Sequence, residues 1–70
     1  MRIIYTNHAK FKIEKLKIPR VWIEETFKSP DLIITFGDKF IINRKLNGKT
    51  LEIVYIKAKY IRVVTLYFLR

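Results

Sequence analysis

The spacing of apolar residues changes along the chain, and the changes mark the elements. Ile3, Ile4 and Tyr5 follow one another without a break and predict a short strand over residues 2–5. Ala9, Ile13 and Leu16 then recur at i, i+4 and i+7, one face of an amphipathic helix, with Lys10, Lys12, Lys15 and Lys17 mostly off that stripe. Thr6 is placed to cap this helix through a hydroxyl that accepts from an amide of the first turn. Phe11 falls on the far side, away from the stripe. Pro19 suits the first position of a second helix, where its missing amide hydrogen costs nothing. That helix turns Trp22, Ile23, Thr26 and Phe27 inward, with Trp22 read as core. Ser29-Pro30 ends it, because the residue before a proline is pushed out of helical geometry.

From residue 32 onward the period is that of strands. Residues 32–36 form one, and Gly37-Asp38 turns it. Asn47-Gly48 is the favoured two-residue hairpin turn, joining residues 39–46 to 49–56. Fixing this turn fixes the register, with Arg44 opposite Leu51, Ile42 opposite Ile53 and Phe40 opposite Tyr55. Phe40, Ile42, Leu46, Leu51, Ile53 and Tyr55 then share a core face, while Lys39, Ile41, Asn43, Lys45, Thr50, Glu52, Val54 and Ile56 share the other. A last strand spans residues 60–69. A two-residue turn at Ala58-Lys59 would pair Val64 with Ile53 and Leu66 with Leu51, sending Val64, Leu66 and Phe68 to the core. Val63, Thr65 and Tyr67 would go to the other face, and Arg62 would join the core face opposite Tyr55. The prediction is an α+β domain over residues 1–70, ordered β-α-α-β-β-β-β, with two helices on one face of a mostly antiparallel sheet.

The strand followed by Thr6-x-His8-Ala9, the Ile18-Pro19 helix start, the Ser29-Pro30-Asp31 break and the late Val63-Val64-Thr65-Leu66-Tyr67 strand come in a familiar order. Together they resemble a family of small prokaryotic domains of unknown function with a His-Ala pair at the first helix. The similarity runs over nearly the whole chain. One departure is that relatives often have Arg-Gly before the Ile-Pro element, where this chain reads Leu16-Lys17. The layout also resembles the RelE/ParE/BrnT-like toxin fold. That resemblance implies a small basic toxin held by an acidic antitoxin and acting on messenger RNA at the ribosome, or on DNA gyrase in the ParE branch. It is a likeness of fold, which carries function poorly.

Charge agrees with a polyanionic or acidic partner. The net charge is +9, from fifteen Lys and Arg against six Asp and Glu. It is uneven, because residues 39–70 hold eight of the cations and a single acid, Glu52. A field of that sign draws polyanions. Lys39, Lys45, Lys49, Lys57 and Lys59 are the candidate nucleic-acid contacts. Seventy residues make one small domain, and without cysteine it has neither disulfides nor thiolate metal ligands. The run Ile3-Ile4-Tyr5 is too short for a signal peptide or a membrane span, so the expected location is the cytoplasm.

Cleaving RNA without a metal needs a base for the 2′-hydroxyl proton, cations for the charged transition state and an acid for the leaving oxygen. His8, Arg44, Arg62 and Tyr67 are the candidates for those roles. His8 is the only histidine, and histidine titrates near neutrality. It equally suits a structural role, orienting the start of its helix. Arg44 on an apolar face must reach the sheet margin, pair with a carboxylate such as Glu24 or Glu25, or hold an anion. A lone histidine without cysteine gives no metal site, and no cofactor motif is present. The leading expectation is a toxin-like, RNA-directed protein, an endoribonuclease bound by an acidic antitoxin. The alternative is a non-catalytic module that dimerises or binds a protein or nucleic acid through the open face of the sheet.

Overall fold

The computed structural model describes residues 2–70. In chain order they form β1 (Ile3–Tyr5), α1 (Asn7–Leu16), α2 (Arg20–Lys28), β2 (Leu32–Phe36), β3 (Lys39–Leu46), β4 (Lys49–Lys57) and β5 (Ile61–Leu69). This is the α+β order that the periodicity predicts. The sheet runs β1-β5-β4-β3-β2, antiparallel except where β1 lies parallel to β5.

The β3–β4 hairpin has the register set by its turn, with Ile42 opposite Ile53 and Arg44 opposite Leu51. Asn47 and Gly48 take φ of 52° and 84°, the left-handed pair such a turn requires. α1 packs on β5 and β1, and α2 on β3 and β4, but neither helix reaches β2. The core lies between these layers. Leu51, Ile53, Val63 and Leu66 are fully buried in it, with Ile23 and Ile42 almost so. Thr26, also buried, satisfies its hydroxyl by donating to the Trp22 carbonyl one turn back, at 2.8 Å. Trp22 is only half-buried and meets Phe68 edge-on, with ring centres 6.0 Å apart. Pro19 stands one place earlier than predicted, at the N-cap, where its carbonyl accepts from Trp22 N–H at 3.0 Å.

The pairing of β5 differs from the sequence expectation. The loop after β4 has three residues, since Lys57 pairs with Ile61, and a bulge interrupts the ladder opposite Val54 and Tyr55. Val63 faces Tyr55 while Thr65 faces Val54, which leaves Val64 as the extra residue. Val63, Leu66 and Phe68 therefore join the core, and Val64 does not. Arg62 moves the other way. It pairs with Ile56 and belongs to the open face.

Thr6 explains why the bulge sits there. Its hydroxyl accepts from Ala9 N–H at 3.0 Å, capping α1, and donates to the Val64 carbonyl at 3.0 Å. Its own N–H donates to the Val63 carbonyl at 3.1 Å. One side chain thus caps a helix and satisfies a carbonyl that the bulge takes out of the ladder.

α1 ends in a Schellman turn. Ile18 N–H reaches back to the Ile13 carbonyl at 3.0 Å, and Ile18 itself is buried. Lys17 makes the turn at φ 53° and ψ 50°, a left-handed conformation that glycine adopts without strain. Lys17→Gly is expected to stabilise the domain by about 0.5–1 kcal/mol, the relief of left-handed strain exceeding the added chain entropy. A urea midpoint that falls instead would show that the lysine is not strained.

Candidate functional site

The face of the sheet without helices is built in rows by the strand registers. Leu32, Asn43, Glu52 and Tyr67 form one row; Ile34, Ile41, Val54 and Thr65 the next; Phe36, Lys39, Ile56, Arg62 and Ile4 the third. The first row carries a polar ladder across three strands. Asn43 Nδ2 donates to Glu52 Oε1 at 3.1 Å, and the Tyr67 hydroxyl donates to Glu52 Oε2 at 2.6 Å. Asn43 and its neighbour Val54 are buried although no helix covers them. The hairpin register already set Asn43 opposite Glu52. Tyr67 joins them only because the bulge shifts β5, so reading the chain without the bulge missed the ladder.

Glu52 also fixes the chemistry of Tyr67. The hydrogen bond to its carboxylate, then burial, then its negative charge push the Tyr67 hydroxyl up to about 12. Ionising this tyrosine would break the bond and set two negative charges side by side. The folded pKa lies above the unfolded one, so the stability this pair contributes is complete below about pH 10. It is lost as pH rises through about 12. In a spectrophotometric titration, the last phenolate to appear should vanish in Tyr67→Phe and move to lower pH in Glu52→Gln. An unchanged upper titration in both variants would contradict the ladder.

His8 stands at the margin of this face. It is exposed in the first turn of α1, with Nε2 3.1 Å from Thr65 Oγ1. That contact orients the imidazole toward the second row. Arg62 is exposed on the third row, along with Lys39, and Lys45 is exposed farther along β3 on the same face. Three of the four sequence-predicted chemical residues, His8, Arg62 and Tyr67, therefore belong to the open face or its margin.

The other predicted residues divide. Arg44 is on the helix side, where its Nη1 donates to the Ser29 carbonyl at 2.6 Å. Its Nε is buried without an acceptor. It completes the end of α2, whose last carbonyls favour a cation, and its bond is to the backbone rather than to Glu24 or Glu25. Lys49 and Lys57 follow the alternation of the core face, and Lys49 Nζ sits over the Phe68 ring, 5.2 Å from its centre. Lys59 is in the β4–β5 loop. The candidate cations thus form no single patch, and Lys39, Lys45 and Arg62 are the ones gathered on the open face.

A cleft of about 290 Å³ lies on the helix side, lined by Tyr5, Lys10, Ile13, Glu14, Arg20 and Ile23. It holds none of the predicted residues. Burial raises the Tyr5 hydroxyl, against the pull of Arg20 and with a smaller push from Glu24. Among the described residues no three His, Cys, Asp or Glu side chains converge, and no helix is long and apolar enough to cross a membrane. No protein-family model, no curated protein and no solved structure matches the chain.

Proposed function

We propose that the protein is a toxin-like, RNA-directed endoribonuclease, and that the open face of its sheet meets the RNA. The observation that carries this reading is the open face itself, with Arg62 and Lys39 exposed on its third row, Lys45 exposed at the other end of β3 beyond the row of Tyr67, and His8 bonded to Thr65 at the margin. Arginine offers a fork to a phosphate, and the lysines add a less directional pull. Histidine is the group able to exchange a proton near neutral pH. The catalytic set reduces to His8, which takes the 2′-hydroxyl proton as base, and Arg62, which holds the phosphate, while water protonates the leaving oxygen. Tyr67, its proton committed to Glu52, offers a ring face for a base rather than an acid. An acidic partner that covers the same cations would silence the protein. The reading carries a cytoplasmic location with it, where ribosomes and messenger RNA are.

The alternative is binding without cleavage, and a specific observation favours it. Two of the four predicted catalytic groups, Arg44 and Tyr67, are held in bonds to Ser29 and Glu52. The deciding experiment adds the purified protein to a translating extract and maps messenger ends by primer extension. New cuts are expected from the wild type, reduced about 100-fold or more in His8→Ala, the usual weight of general acid–base catalysis. Arg62→Ala should also reduce them while staying folded, since Arg62 is exposed. A folded wild type that binds RNA with a steep salt dependence and makes no cuts would sink the nuclease and establish the binding module.

A further inference from the structure

The two helices lie on the same face of the sheet without packing on each other. The cleft of about 290 Å³ is lined from both of them, and its size is at the small end of ligand cavities. Its apolar lining comes from Ile13 of α1, the almost fully buried Ile23 of α2 and the ring of Tyr5 from β1. Its polar lining is Lys10 and Glu14, one turn apart on α1, with Arg20, the first residue of α2. The side-chain hydrogen bonds of the described residues engage none of Tyr5, Lys10 or Arg20. Three donors therefore meet an apolar surface in one cleft, and all three are free.

We propose that this cleft binds a small monocarboxylate with an apolar body, roughly ten non-hydrogen atoms in all, held by Arg20 and the Tyr5 hydroxyl. The charge of the ligand follows from the lining. Lys10 and Glu14 are spaced i, i+4 and offset one another, which leaves Arg20 as the unbalanced cation. One cation suits one negative charge, and the planar guanidinium fork matches a carboxylate. Glu24, one turn along α2, is the rival for Arg20, but it does not line the cleft. Arg20 also acts on the Tyr5 hydroxyl more strongly than Glu24 does, so the field at that hydroxyl favours an anion. The phenol donates a further bond to the carboxylate, and Ile13 and Ile23 take the apolar body out of water. The cleft is on the helix side, behind the sheet from Arg62 and Lys39, so it is separate from the face proposed to meet RNA.

An NMR titration of the isotope-labelled full chain with sodium phenylacetate, up to about 20 mM, tests this, since a ligand of that size is expected to bind with a Kd of about 1 mM. Amide shifts should saturate and centre on Lys10, Ile13, Arg20 and Ile23. Arg20→Gln, at an exposed position, should stay folded and weaken binding at least about tenfold. Tyr5→Phe keeps the ring, removes the donor and should also weaken binding, by about tenfold. Lys28→Gln removes the same charge at the other end of α2 and should change nothing. 2-Phenylethanol, with the same body and no charge, should bind at least about tenfold more weakly than phenylacetate. Shifts that do not saturate, or that centre elsewhere, overturn the proposal. So does unchanged binding in Arg20→Gln, and so does 2-phenylethanol binding as well as phenylacetate. Inorganic phosphate binding equally well would overturn it too, by showing an anion site that makes no use of the apolar body. None of these outcomes depends on whether RNA is cut.

Discussion

Ile53→Ala should leave the domain barely folded, whereas Ile34→Ala, two strands away, should change its monomer stability by less than about 0.5 kcal/mol. Ile53 is fully buried at the centre of the sheet, between Ile42 and Leu66, both themselves buried. Truncating a buried isoleucine removes transfer free energy and leaves a cavity, together about 3–4 kcal/mol. A domain of 70 residues is stable by only about 5–7 kcal/mol, so the loss is roughly half of it or more. Ile34 is exposed on β2, where no helix packs. Urea unfolding of both variants at micromolar concentration, with the slope unchanged, measures the contrast. Similar losses in the two would mean that β2 belongs to the core.

Thr6→Val should cost about 2 kcal/mol. The substitution keeps the shape and removes a hydroxyl that serves two bonds, the cap at Ala9 N–H and the link to the Val64 carbonyl. Losing an N-cap costs about 1 kcal/mol, and leaving the bulge carbonyl unpaired adds about as much. Thr6→Ser keeps the hydroxyl and should recover most of the loss. A serine variant as weak as the valine one would assign the role of Thr6 to its methyl group. The valine variant should also free His8 from Thr65, since Thr6 holds the start of α1 against β5.

These two sites divide what the sequence discloses from what it hides. Ile53 was legible as core, because Asn47-Gly48 fixes the β3–β4 register locally and the alternation does the rest. The end of α2 at Ser29 and the N-cap at Thr6 were legible for the same reason, each being written in neighbouring residues. The bulge at Val64 was not. Val63-Val64-Thr65 suits a strand in either alternation, and what selects one is a hydroxyl 58 positions earlier. With the bulge unread, Arg62 fell on the wrong face, and Tyr67, though on the correct face beside Glu52, was not set directly opposite it. Arg44 was placed on the correct face, but its acceptor is a backbone carbonyl, which carries no side-chain signal in the sequence.

The order of strands also bears on how the chain is made. β1 and α1 leave a ribosome first, yet the strand they pack on is β5, made after every other element described here. Until β5 has cleared the exit tunnel, Thr6 has no carbonyl to cap and half the helix layer has nothing to cover. The β2–β3–β4 meander can form meanwhile, because its contacts are local and its loops short. It would wait with its β2 margin already exposed. Completion comes in one late step, when β5 inserts between β4 and β1. A chain interrupted before that strand would carry most of its sequence and still lack a closed core.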